Sequence, residues 1–153
     1  MVDKALFTSD SEEWETPQEL FDQLNKEFNF RVDVCATPEN AKCKKYYTKE
    51  ENALNKTWSF YGTCWMNPPY GRNIGLWIEK AYKESLQGAD VVCLLPARTD
   101  TKYFHRFIWD KDKHKPRKNV EVRFLEGRLK FGGSKNSAPF PSMIVIFYGV
   151  IPF

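Results

Sequence analysis

At 153 residues the chain has the length of one ordinary domain, enough to bury about two thirds of its unfolded surface in a single core. Its 42% hydrophobic, 16% aromatic and 28% charged residues exclude a disordered chain, and no run is long and apolar enough to cross a bilayer, so a soluble protein with a single domain over residues 1–153 is expected. The net charge of +3 hides an asymmetry: over residues 10–30 seven acidic residues face one lysine, whereas over 98–135 twelve Lys or Arg face five Asp or Glu.

Residues 1–11 carry mixed charges without an apolar stretch, which excludes a secretory leader and an Arg-rich transit peptide and makes the cytoplasm the default compartment. Thr16-Pro17-Gln18-Glu19 has the Thr-x-x-Glu capping pattern with proline at the first helical position, and Leu20, Phe21, Leu24 and Phe28 follow on one face. A helix over 17–28 is predicted. Residues 30–35 alternate and are rich in β-formers, 63–66 is a short apolar run, and 90–96 is a continuous one of the kind found in strands buried on both faces. Between the last two, Ile74, Trp77, Ile78, Ala81 and Tyr82 recur at helical spacing as far as Leu86, with Gly88 placed to stop the helix. A helix over 101–109, strand-like segments over 120–124 and 128–131, and a strong strand over 142–148 complete the chain. This order predicts an α/β fold with a mainly parallel sheet and an antiparallel strand near its end. In such sheets the ligand site lies beyond the carboxyl ends of the strands.

Cys35, Cys43, Cys64 and Cys93 contain no Cys-x-x-Cys pair and sit mostly among apolar or aromatic neighbours, so reduced core residues are expected rather than zinc ligands or a disulfide framework. His105 and His114, nine apart and without paired acids, make a poor ligand set, and no metal is expected. The five tryptophans, Trp14, Trp58, Trp65, Trp77 and Trp109, read as core rather than as base-stacking platforms.

Asn67-Pro68-Pro69-Tyr70 directly follows the predicted strand at 63–66, at a carboxyl strand end. The residue types fit the methylation of a planar amine. The lone pair of such an amine is delocalised, so two hydrogen-bond acceptors are needed to draw it towards a tetrahedral geometry. Asn67 supplies a side-chain oxygen. Pro68 has no N–H, offers only its carbonyl and has a fixed φ, while the proline after it restricts Pro68 in turn, so two prolines make a rigid acceptor. Positive charge develops on the amine as the methyl arrives, and preorganised acceptors stabilise it. Tyr70 offers an aromatic face to a base taken out of a duplex, a contact worth about 1–3 kcal/mol.

At these residues the chain resembles the N6-adenine DNA methyltransferases, in particular the compact phage-type DNA adenine methylase (Dam-like) family. The resemblance extends in order through Trp14-Glu15-Thr16-Pro17, Asp33-Val34-Cys35-Ala36-Thr37, Ala53-Leu54, Asn67-Pro68-Pro69-Tyr70-Gly71-Arg72, Pro96-Ala97-Arg98-Thr99-Asp100, Gly127-Arg128-Leu129-Lys130-Phe131 and Ala138-Pro139-Phe140-Pro141-Ser142. It implies a Rossmann-like, three-layer methyltransferase fold that binds S-adenosylmethionine and releases S-adenosylhomocysteine, acting in the host cytoplasm if phage-encoded, as a monomer or weak dimer. By that similarity Trp14, Thr16 and Pro17 lie near the methionine end of the cofactor, Asp33 approaches its amino group, and Cys35 and Ala36 line the wall. Glu39 is a candidate for the ribose hydroxyls. The acidic-Ala-Leu stretch of the family stands here as Asn52-Ala53-Leu54, with Asn52 where relatives place Asp.

The expected partner is double-stranded DNA with a flipped adenine. Arg72, Arg98, Arg128, Lys130 and Lys135 are candidate DNA contacts, together with Lys113, Lys115, Arg117 and Lys118 of the densest basic run. These cations would supply the sequence-independent, salt-sensitive part of binding. The chain is too short for a separate target-recognition domain. Three rival readings remain: methylation of adenine in RNA, methylation of a protein glutamine amide, and a noncatalytic DNA-binding module on the same fold.

Overall fold

The structure, a computed structural model, describes residues 14–151. The reading of residues 1–11, and Asp10, Glu12 and Glu13 of the acidic segment, lie outside the described residues.

The first helix, α1 (Gln18–Phe28), turns Phe21 and Leu24 into the core and ends at Asn29, whose left-handed backbone (φ 55°) lets its N–H reach the Asn25 carbonyl. Its start differs from the expected capping box. Pro17 is the cap residue and no side chain caps the helix, because the Thr16 hydroxyl accepts a hydrogen bond from Asn67 instead. Strand β1 (Val32–Asp33) is shorter than 30–35, since the chain bends after Asp33, whose carboxylate accepts the Cys35 N–H at 3.2 Å. After β2 (Lys45–Tyr46), two 3-10 turns, Ala53–Asn55 and Ser59–Tyr61, lead into β3 (Thr63–Met66). Helix α2 (Ile74–Leu86) and strand β4 (Asp90–Pro96) have the bounds their apolar spacing predicts, and Gly88 between them takes φ +106°.

The predicted helix over 101–109 is present over 102–108, wound as a π-helix over Phe104–Ile108, and ends where Trp109 leaves for the short hairpin β5 (Trp109–Asp110) and β6 (Lys115–Pro116). Strands β7 (Val120–Phe124) and β8 (Ser142–Phe147) follow. The segment 128–131 is no strand. Among the described residues it enters no ladder: the Leu129 carbonyl accepts the Ala138 N–H at 2.7 Å, the bridge to Glu15 falls one residue later at Gly132, and the segment serves to bury Phe131.

The six-stranded sheet runs β2-β1-β3-β4-β8-β7, with β2, β1, β3 and β4 parallel and β8 antiparallel between β4 and β7. Helices cover both faces. Successive residues of a strand point to opposite sides: Trp65 meets Phe21 of α1 (ring centroids 5.5 Å apart), whereas the Cys64 thiol meets the Trp58 carbonyl, and Trp58 stacks on Trp77 of α2. The result is a Rossmann-like α/β fold of three layers. Val91–Leu95 in β4 and Met143–Phe147 in β8 are fully buried and form the centre of the core. Glu84 of α2 ties the second 3-10 turn to this frame by accepting the Trp58 and Ser59 N–H groups while pairing with Lys80 at 3.0 Å.

Beyond β8 the chain passes so close to the α2–β4 turn that a Cβ on Gly149 would lie 2.3 Å from the Gly88 carbonyl oxygen. Both atoms belong to backbone, so neither gives way. Gly149→Ala is expected to lower stability by about 2–3 kcal/mol, seen as a lower urea midpoint with an unaltered slope.

Candidate active site

Strands β1 and β3 end side by side, and their carboxyl ends open into a hollow of about 640 Å3. This is within the range of about 300–1,000 Å3 that small-molecule sites occupy. Its wall is built from three stretches: a strap at Trp14–Thr16, the bend that begins at Asp33, and the tetrapeptide after β3.

Asn67 is held by the strap. Its Nδ2 donates to the Thr16 hydroxyl oxygen at 2.9 Å and to the Trp14 carbonyl. A backbone carbonyl only accepts, so the amide nitrogen must face it and the orientation of the carboxamide is fixed by chemistry. Oδ1 is thereby turned away from the strap, buried, and left without a partner. The strap is itself secured by the Gly132 N–H donating to the Glu15 carbonyl at 2.9 Å, and by Trp14 packing on Phe131 and Phe140 with both ring centroids at 5.3 Å. Among the described residues the Pro68 carbonyl accepts no hydrogen bond from the chain.

Tyr70 is 5% exposed; its hydroxyl donates to the Leu94 carbonyl at 3.0 Å and its ring meets Phe140 and Phe131 edge-on. The end of the tetrapeptide is therefore anchored to β4 and to the same aromatic group that holds the strap.

Across the hollow, Asp33 is 3% exposed, with Oδ1 accepting from the Cys35 N–H and Oδ2 from the Lys42 N–H at 3.0 Å. Burial pushes its carboxyl up to about 6, against the two backbone hydrogen bonds, which favour the charged form. It is a half-satisfied anion facing a cavity. Asn52, in a left-handed conformation (φ 53°), lines the hollow and spends its Oδ1 on the Leu54 N–H at 3.2 Å, capping the 3-10 turn.

A family model described as DNA N-6-adenine-methyltransferase (Dam) matches residues 4–150. The chain belongs to this family. A DNA N-6-adenine-methyltransferase of Haemophilus phage HP1 is 29% identical over 147 residues, which cover 95% of this chain and 83% of the relative. One of Escherichia phage T1 is 33% identical over 92 residues, 60% of this chain and 38% of the relative.

Of the residues singled out from the sequence, the structure gathers Trp14, Thr16, Asp33, Cys35, Ala36, Asn52, Arg72 and all four of the tetrapeptide around one hollow. Pro17, Glu39, Ala53 and Leu54 do not line it; Ala53 is fully buried, with its carbonyl accepting the Trp58 indole N–H at 2.9 Å. Arg98 borders a neighbouring hollow. Lys113, Lys115, Arg117 and Lys118 are exposed on and beside the β5–β6 hairpin, and Arg128, Lys130 and Lys135 are exposed on the loops before β8; none of the seven lines either hollow. Burial raises the Cys43 and Cys64 thiols to about 12 and the Cys35 and Cys93 thiols as well, so all four stay protonated and inert.

Sequence reasoning missed Thr37, Asn40, Lys42 and Thr48, which also line the hollow. One local signal existed: Thr37 and Asn40 cap each other's backbone N–H groups, a Thr-x-x-Asn turn pattern that forms the loop.

An acid whose pKa is raised in the folded state adds stability below its unfolded value and loses it as pH rises through the folded one. For Asp33 that loss falls between about pH 4 and 6. Carbon NMR of the unliganded protein is expected to show its carboxyl titrating near 6; a midpoint below 4 would contradict this environment.

Proposed function

We propose that the protein transfers a methyl group from S-adenosylmethionine to the exocyclic N6 amine of an adenine in DNA, with that adenine extruded into the hollow beside Asn67. The observation that carries the reading is the buried, unpartnered Asn67 Oδ1. Leaving such an oxygen unpaired costs about 1–3 kcal/mol, and an amine N–H arriving from a ligand removes that cost. The family membership and the two phage relatives support the same reaction.

S-adenosylmethionine, when bound, supplies an electrophilic methyl group on its sulfonium. Asp33, buried with spare acceptor capacity, is the residue suited to the cofactor's ammonium group, and Trp14, Cys35 and Ala36 form the adjoining wall. Asn67 Oδ1 and the Pro68 carbonyl accept hydrogen bonds from the two N–H groups of the adenine amine and localise its lone pair. Because the strap and the prolines fix both acceptors in advance, little reorganisation is required as charge develops. Tyr70 supports the pocket as an anchored edge of the wall. Extrusion of the adenine is required by geometry, since a stacked base cannot present its amine to a cavity of this kind. The cations of the β5–β6 hairpin and of the loops before β8 provide the phosphate attraction.

Asn67→Ala is expected to reduce methyl transfer to duplex DNA by about 10²–10³-fold while DNA binding persists. Transfer of labelled methyl to tRNA or to a protein glutamine, with none to DNA, overturns the substrate assignment. Sequencing the methylated adenines in cells expressing the chain reads activity and site preference together.

Replacing Lys113, Lys115, Arg117 and Lys118 together is expected to flatten the dependence of log K on log salt by about 3–4, since each lost phosphate contact removes about 0.9. Anisotropy titrations at several salt concentrations measure this, and an unaltered slope removes the hairpin from the DNA interface.

A further inference from the structure

A second hollow, of about 430 Å3, opens next to the first, and Tyr70, Gly71 and Arg72 line both. Arg72, Arg98, Lys102 and Arg106 surround it, against a single carboxylate, Glu79. That carboxylate is already answered by Lys83 at 3.3 Å, and among the described residues none of the four cations forms an ion pair. Four unpaired positive charges around one concavity repel each other and focus a field suited to an anion. The lining between them is apolar, through Ile74, Leu76, Pro96 and Phe107. Leu76 is 54% exposed there.

The backbone adds a second observation: Lys102 and Arg106 lie on either side of Tyr103, which lines the same hollow, where the chain winds into the π-helical turn Phe104–Ile108. Such turns are rare and concentrate at functional sites. An occupant must therefore carry negative charge for the rim and an apolar face for the lining. A nucleotide within a strand carries both.

We propose that this second hollow seats the nucleotide adjoining the extruded adenine on the same strand, its phosphodiester held by Arg72, Arg98, Lys102 and Arg106. The assignment rests on the reading of the first hollow as the adenine site. Tyr70, Gly71 and Arg72 form the partition between the two, so the strand crosses the tetrapeptide at Gly71, which is exposed and presents no side chain. The adenine and its neighbour are then pulled apart on either side of Tyr70.

The test compares the wild type with Arg98→Gln/Arg106→Gln on duplexes carrying a neutral methylphosphonate at one phosphate at a time around the methylated adenine, read by anisotropy. One flanking position is expected to weaken wild-type binding about tenfold and to weaken the variant less than twofold, and the variant's salt slope is expected to be smaller by about 2. Unaltered S-adenosylmethionine affinity in the variant reports an intact fold. Because Arg98 lies over the Phe140 ring at 5.9 Å, Lys102→Gln/Arg106→Gln serves as a second variant that leaves this contact in place. Equal losses in wild type and both variants at every position, or an unaltered salt slope, overturn the proposal. A wild type that methylates DNA without this coupling removes the phosphate seat alone. A wild type that does not methylate DNA, but whose salt slope still falls in the variants, removes the adenine assignment and leaves the seat standing.

Discussion

The site depends on which way one carboxamide points. An Asn side chain is nearly symmetric in shape, and only its neighbours decide whether oxygen or nitrogen faces a cavity. Here the Trp14 carbonyl and the Thr16 hydroxyl hold the nitrogen of Asn67 at the strap, so that the oxygen is turned away from it, buried and without a partner. The arrangement leaves an unsatisfied acceptor in a buried place, at a cost of about 1–3 kcal/mol. Asp33 follows the same logic across the hollow, as a carboxylate raised by burial that a cation would restore to its charged form.

The sheet divides this labour. Its parallel part delivers Asp33 and the tetrapeptide to one edge, because β1 and β3 run together and end together. Its antiparallel part, β7 and β8, brings the intervening loop back across that edge, where Phe131, Phe140 and Gly132 meet the strap. The first half supplies the chemical groups; the second holds them in register.

Elements with a strong internal period were legible in the sequence. Helix α2 and strands β3 and β4 have the predicted bounds because each buries an apolar pattern that no competing contact disturbs. The Thr16 cap was misread for the opposite reason: a local pattern offered the hydroxyl a partner three residues away, and a tertiary partner in Asn67 took it. The same holds at 128–131, which among the described residues enters no strand ladder. Around the site, the tetrapeptide and Asp33 were visible as residue types at strand ends. The wall formed by Thr37, Asn40 and Lys42 was not, since loop conformation depends on backbone hydrogen bonds to Asp33 that no periodicity encodes.

The bridge between Glu15 and Gly132 joins segments far apart along the chain, and Gly132 leaves room for it, since a Cβ there would lie 3.1 Å from the Glu15 side chain. Contacts of such high sequence separation form late, after the loop entropy of the intervening chain has been lost. The inward turn of the Asn67 amide therefore completes only when the polypeptide is fully assembled. Partly folded intermediates would be catalytically silent, and amide-exchange protection at Gly132 would track the recovery of turnover during refolding.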